Sequence, residues 1–177
     1  MELYTARMRH SADSVRRFTR LQYDTFELWR KLLMLGLSAG CMLLGIASGS
    51  GLFAVLCVFV GAMLLTNLNA RALSVADGVI EATGGSFPVL EYRFGESAFR
   101  DGEGRPAVEY ARLMRLVADD EYLYLFVSKA SGYMLERASV QGEGGGEGLM
   151  SLLADRSGLR WRRPFSLLTF RLRDLWE

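Results

Sequence analysis

The apolar positions of this chain concentrate between Leu32 and Ala70, where 39 consecutive residues include no Asp, Glu, Lys, Arg or His although 23% of the protein is charged. Two runs stand out, LLMLGLSAGCMLLGIA from Leu32 to Ala47 and LFAVLCVFVGAMLL from Leu52 to Leu65, separated by Ser48-Gly49-Ser50-Gly51. About 20 apolar residues cross roughly 30 Å of hydrocarbon, so one span would leave the second run unexplained. The pattern predicts two membrane-spanning helices folded as a hairpin. The first begins near Trp29, placed at headgroup level, and the second continues through Thr66 to Asn69. The Ser-Gly repeat supplies the turn, because glycine accepts positive φ without steric cost. A soluble core hairpin would rarely run so far without an ionisable side chain, and a cleaved signal peptide would start earlier and be shorter.

Weaker periodicities flank this stretch. Glu2 to Met8 suits a short strand. Ser11 or Asp13 can cap a helix in which Val15, Phe18, Leu21, Tyr23, Phe26 and Trp29 recur at helical spacing, with Arg16, Arg17 and Arg20 on the polar side. That helix is expected to run straight into the first span. After Gly84-Gly85 and Pro88 the period shortens, predicting strands at Val89 to Phe94, Ser97 to Arg100, Ala107 to Ala118, Tyr122 to Val127 and Tyr133 to Glu136. The turns between them are Gly95-Glu96, Asp101 to Gly104, Asp119 to Glu121 and Ser128 to Gly132. Gln141 to Gly148, with five glycines from Gly142 to Gly148, reads as a flexible connection. Leu149, Met150, Leu152 and Leu153 describe one short helix stopped at Gly158. Strands closed by one helix make an α+β arrangement. Beyond Arg160 helix and strand patterns compete, and a helix after Pro164 is favoured, with Phe165, Leu168, Leu172, Leu175 and Trp176 on one face.

Charge orients the hairpin. Arg30 and Lys31 precede the first span, Arg71 follows the second, and the turn is uncharged, which places both ends in the cytoplasm. Residues 1–31 carry +3 (seven basic, four acidic) and residues 71–177 carry −2 (14 basic, 16 acidic), for a net charge of +1. That balance disfavours nucleic acid as a partner. No ionisable group lies within the apolar stretch, which disfavours a transporter or pump.

Little catalytic chemistry can be assembled. His10 is the only histidine, and no Ser-His-Asp, Cys-His or metal-ligating constellation forms around it. Catalytic residues, metal ligands and cofactors are therefore expected to be none. Cys41 and Cys57 lie in the apolar runs as small packing residues. Asp119-Asp120-Glu121 reads as a solvated turn. The glycine-rich stretch lacks the Lys-Ser/Thr of a phosphate-binding loop. Two features remain as candidate sites. Gly36 and Gly40, and on nearly the opposite face Gly45 and Gly49, are spaced for close helix packing, one face serving the second span and the other a second copy. Arg160, Trp161, Arg162, Arg163, Arg171, Arg173 and Trp176 combine cations with interfacial aromatics and suit a membrane surface.

The order of these elements resembles that of a known family. A short strand and basic helix, a hairpin with both ends inside, the run EYRFGESAFR (Glu91 to Arg100), a long segment through EYARLMRLVADDEYLYLFVS and a closing helix resemble the YcxB-like family of bacterial membrane proteins. The resemblance covers about Glu2 to Gly158 and implies a pleckstrin-homology-like cytosolic domain, a bent antiparallel sheet capped by one helix. It implies a multi-pass protein of the bacterial cytoplasmic membrane. The expected division is 1–31 (strand and basic helix), 32–76 (hairpin), 77–159 (cytosolic domain) and 160–177 (basic and aromatic tail). The expected function is a non-enzymatic, membrane-anchored interaction module. Its partners would be the lipid bilayer and another protein or a second copy, with lipid sensing as the alternative.

Overall fold

A computed structural model describes residues 2–102 and 106–164. Contacts divide the chain into two units. One joins the residues up to Ser14 with those from Thr83 onward, and the other is Val15–Ala82. These boundaries differ from the expected ones, because the N-terminal strand belongs with the sheets rather than with the helix that follows it.

The first unit is built on two sheets. Strands β1 (Tyr4–Arg9), β2 (Val89–Phe94), β3 (Ala98–Asp101) and β4 (Val108–Glu109) form one antiparallel sheet in that order. β5 (Arg115–Ala118), β6 (Tyr122–Phe126) and β7 (Gly132–Glu136) form the second antiparallel set, and β8 (Trp161–Arg162) joins β5 in parallel. β1 pairs with β2 along its whole length, from Tyr4 opposite Phe94 to Arg9 opposite Val89. The 79 residues between Arg9 and Val89 are thus an insertion into a β-hairpin.

The long strand expected over Ala107 to Ala118 is broken. β4 ends at Glu109, a 3-10 turn spans Tyr110–Arg112, and β5 begins at Arg115. The cause is Tyr110, whose ring is buried and whose hydroxyl donates to Gly95 O at 2.8 Å. Sending that side chain inward turns the backbone, and the chain passes there from one sheet to the other. Tyr110 joins Phe94, Phe99, Leu116, Leu123, Leu125, Phe126, Met134 and Leu135 in a core of near-zero exposure. Phe94 stacks on Phe99 (centroids 5.3 Å), and Tyr133 meets Phe99 edge-on at 5.0 Å. Such pairs add about 0.5–1.5 kcal/mol beyond the area they bury.

The helix α1 of this first unit closes the sheets and runs Gly145–Ser157, with Leu149 and Leu153 fully buried. It therefore starts inside the stretch read as a flexible connection. The reason is close packing: a Cβ on Gly148 would collide with Glu143 O and meet the Tyr4 hydroxyl at 2.8 Å, and Gly142 holds φ +143 against the Tyr4 ring. Tyr4 in turn donates to Glu143 O at 2.9 Å. The glycines let the chain pass under Tyr4. Gly158 ends the helix in the left-handed region, its N–H reaching Ala154 O at 2.9 Å.

The second unit holds four helices, here α2 (Ala12–Phe26), α3 (Leu28–Ala47), α4 (Gly51–Thr66) and α5 (Ala70–Ala82). Ser11 caps α2 through a reciprocal pair, Ser14 N–H to Ser11 Oγ at 3.2 Å and Ser11 N–H to Ser14 Oγ at 2.8 Å. α2 does not run straight into α3; it breaks for one residue at Glu27 (φ −120°, ψ 26°). α3 and the helical stretch Gly51–Ala82, which takes in α4 and α5, are long and apolar enough to cross a membrane, and only 11% of each most apolar window is buried. Leu52, Ile46 and Val55 are 81%, 72% and 69% exposed, which sets these helices apart from the buried core helices of soluble proteins. The second apolar helix stops at Thr66 rather than Asn69, because the Asn67 side chain donates to Met63 O at 2.8 Å and a turn over residues 67–69 follows. α5 was not expected at all. It buries Ala72 and Ala76, one turn apart.

Candidate functional site

Two places in the second unit gather interactions, the seam of the hairpin and its base. At the seam, Ser38 is 1% exposed and donates to Gly61 O at 2.9 Å. A Cβ on Gly61 would lie 2.9 Å from Met42 Cε and 3.2 Å from Ser38 O, and one on Gly45 would lie 2.7 Å from Cys57 Cβ. Gly45 and Gly61 therefore set how closely α3 and α4 approach. Gly36 and Gly40 face open space, and so does Gly49, which sits in the turn at φ +67. The four glycines singled out in the sequence thus divide: Gly45 packs inside the hairpin, Gly49 turns it, and Gly36 and Gly40 lie on an uncovered side of α3. Ser38 and Gly61 were missed. Their signal was a hydroxyl and a small residue at matching depths of the two runs.

At the base, side chains from α2, α3, α5 and the turn after α4 converge. Lys31 forms an ion pair with Asp24 and donates to Asn69 Oδ1 at 2.6 Å. Arg30 and Arg71 share one oxygen, Glu27 Oε2, at 3.4 and 4.0 Å. The Arg71 guanidinium lies 5.8 Å from the centre of the Tyr23 ring, within cation–π range. These groups border a cavity of about 40 Å³ lined by Tyr23, Glu27, Arg30, Lys31, Asn67 and Arg71 among others. Further along, Arg16 places Nε and Nη2 at 3.0 and 2.9 Å from Asp77 Oδ1, tying α2 to α5.

The tail residues divide as well. Arg160, Arg162 and Arg163 are exposed, whereas Trp161 is half-buried and its indole Nε1 donates to Met150 O at 2.8 Å, which fastens β8 to α1. Burial lowers the pKa of Arg115, and the nearby Arg162 charge acts in the same direction. Arg171, Arg173 and Trp176, and the helix expected after Pro164, lie outside the described residues, as does part of the turn expected over Asp101 to Gly104.

His10 is held at the end of β1 with Nδ1 3.4 Å from Ser14 Oγ. Burial pushes its pKa below the ordinary 6.5, and the Asp101 charge opposes that shift. The Ser14 hydroxyl is committed to Ser11 O at 3.0 Å and to the helix cap, so it is a structural group. Asp119, placed in the acidic turn, accepts from Tyr122 N–H at 2.7 Å, from Glu121 N–H at 3.0 Å and from the Tyr124 hydroxyl at 2.9 Å. Among the described residues no group of three or more His, Cys, Asp or Glu side chains could hold a metal ion. No protein-family model matches the sequence, and no curated protein matches it.

Proposed function

We propose that this protein is a non-enzymatic, membrane-anchored interaction module in which α3 and α4 form the anchor and the two-sheet domain is the working part. The observation that carries this reading is the insertion of an exposed apolar hairpin between β1 and β2. Arg9 and Val89 face each other in one sheet, so the chain between them must leave and return on the same side of any membrane it enters. An even number of crossings follows, and two apolar helices supply it. Arg30, Lys31 and Arg71 at the base and none at the turn favour the cytoplasm for that side.

The domain is read as pleckstrin-homology-like. Its support is a four-stranded antiparallel sheet followed by a three-stranded one, with a single helix after them whose Leu149 and Leu153 enter the core. The parallel strand β8 is an addition to that plan. Together with the hairpin, this order supports membership of the YcxB-like family and the bacterial inner membrane as the location. On this reading the partner is a protein, either a second copy or another chain.

Single cysteines placed at Ser50 and at Glu96, in a background with Cys41→Ala and Cys57→Ala, test the topology in intact cells. Labelling of position 50 but not 96 by an impermeant maleimide is expected, and the reverse pattern would sink the orientation. Native mass in mild detergent then tests the module: a defined complex larger than one chain is expected, and a bare monomer at all concentrations would overturn it.

A further inference from the structure

Resting on the membrane-anchored reading, we infer that the base of the hairpin is a binding site for one phosphate ester, supplied by the headgroup of an anionic phospholipid. Three cations, Arg30, Lys31 and Arg71, line the cavity there with a single carboxylate, Glu27. Lys31 is satisfied by Asp24 and Asn69, which leaves two guanidinium groups for Glu27. Both reach the same oxygen, at 3.4 and 4.0 Å, and the longer separation is an ion pair without a hydrogen bond. One positive charge is left over beside the opening.

The cavity and its depth choose the ligand. About 40 Å³ holds roughly three water-sized groups, room enough for the two non-bridging oxygens of a phosphodiester. Arginine forks suit phosphate oxygens, and two of them on different helices can grip one phosphate from both sides. Arg30 stands two residues inside α3 and Arg71 one residue inside α5, just beyond the end of α4, so both sit where an apolar span meets headgroups. Exposed Trp29, 68% accessible, marks the same level. A lipid phosphate lies at that depth at far higher local concentration than a soluble one.

Full-length protein in mild detergent, titrated with phosphatidylglycerol, phosphatidylcholine and glycerol 3-phosphate and followed by native mass spectrometry, tests the site. One phosphatidylglycerol per chain is expected, with affinity falling about tenfold or more in Arg30→Gln/Arg71→Gln. Glu27→Gln, which removes the internal anion, is expected to bind more tightly; this gain cannot arise from misfolding. Equal binding by the double variant, a loss in Glu27→Gln, or the same loss in Arg160→Gln/Arg162→Gln would overturn the assignment. Glycerol 3-phosphate binding as well as the lipid would overturn the lipid source while keeping the phosphate site. Alkaline carbonate extraction keeps the premise separate: release from membranes would defeat the anchor, whereas an embedded protein without the lipid adduct defeats only this site.

Discussion

The Ser38 hydroxyl donates to the carbonyl oxygen of Gly61 at 2.9 Å, a side-chain-to-backbone tie between two otherwise apolar helices. It forms because Gly61 has no side chain to keep the hydroxyl away from its own backbone. Gly45, facing Cys57, allows the same approach closer to the turn.

Ser38→Ala should therefore cost the hairpin about 0.6 kcal/mol, the usual worth of such a bond between apolar spans. Gly45→Val and Gly61→Val should cost more, about 1–3 kcal/mol, by overpacking. Gly40→Val meets nothing within 4 Å and should leave hairpin stability unchanged. Loss of helical signal on titration with dodecyl sulfate in bicelles would rank them. Any effect of Gly40→Val should appear in native mass instead, as a change in the association that this open face would serve.

Residues 15–82 should be dispensable for the domain. Joining Ser14 to Thr83 through a short Gly-Ser linker restores a plain β1–β2 hairpin, since Arg9 and Val89 already face each other. The resulting chain should be soluble, monomeric at low concentration and cooperatively folded. A chain starting at Thr83 lacks β1 and should give a collapsed proton spectrum without dispersed amides.

Glycine substitutions should separate packing from flexibility. Gly148→Ala should destabilise the soluble domain by about 2 kcal/mol or more, because its Cβ has no room beside Glu143 O. Gly78→Ala, in helix α5 with nothing within 4 Å, should raise helix stability by about 0.5–1 kcal/mol. Urea midpoints of the linked domain and thermal melts of the full chain would show the contrast.

The domain should be squeezed by pH from both sides. Burial raises the Tyr110 pKa from 10.0 to about 12, against a smaller opposing effect of Arg156. A raised pKa means that the neutral phenol is the stabilising form, so its contribution is whole below pH 10 and is lost as pH climbs toward 12. His10 runs the other way. Its lowered pKa favours the neutral ring, giving stability that is whole above 6.5 and lost as pH falls through the folded value. Urea midpoints of the linked domain should fall in both windows, and His10→Gln should flatten only the acid one.

How far the residues announce the fold depends on which force decides each element. The hairpin was legible because an uncharged run of 39 residues has few other uses, and β2, β6 and β7 were legible because their period and turns agree. The break after Glu109 was hidden: Tyr110 and Leu113 look like strand residues, and only the core they enter bends the chain. The start of α1 within Gly142 to Gly148 was hidden for a similar reason, since glycine propensity argues against a helix and Tyr4, 138 positions before Gly142, overrules it. At the hairpin base the individual charges were visible as orientation markers. Their convergence was not, because it joins Tyr23, Glu27 and Arg30 to Arg71 across 41 positions or more and depends on the turn at Asn67.

The pairing of Arg9 with Val89 also dictates an order of events during synthesis. At about 5–20 residues per second, roughly 4–16 s separate the emergence of the two partners from the ribosome. Throughout that interval β1 exists without its neighbour, and the domain's first sheet has no edge on which to start. On the membrane-anchored reading proposed above, closure of the sheet then requires that the hairpin has turned back: a chain that crossed only once would hold β1 and β2 on opposite sides and leave the first sheet open.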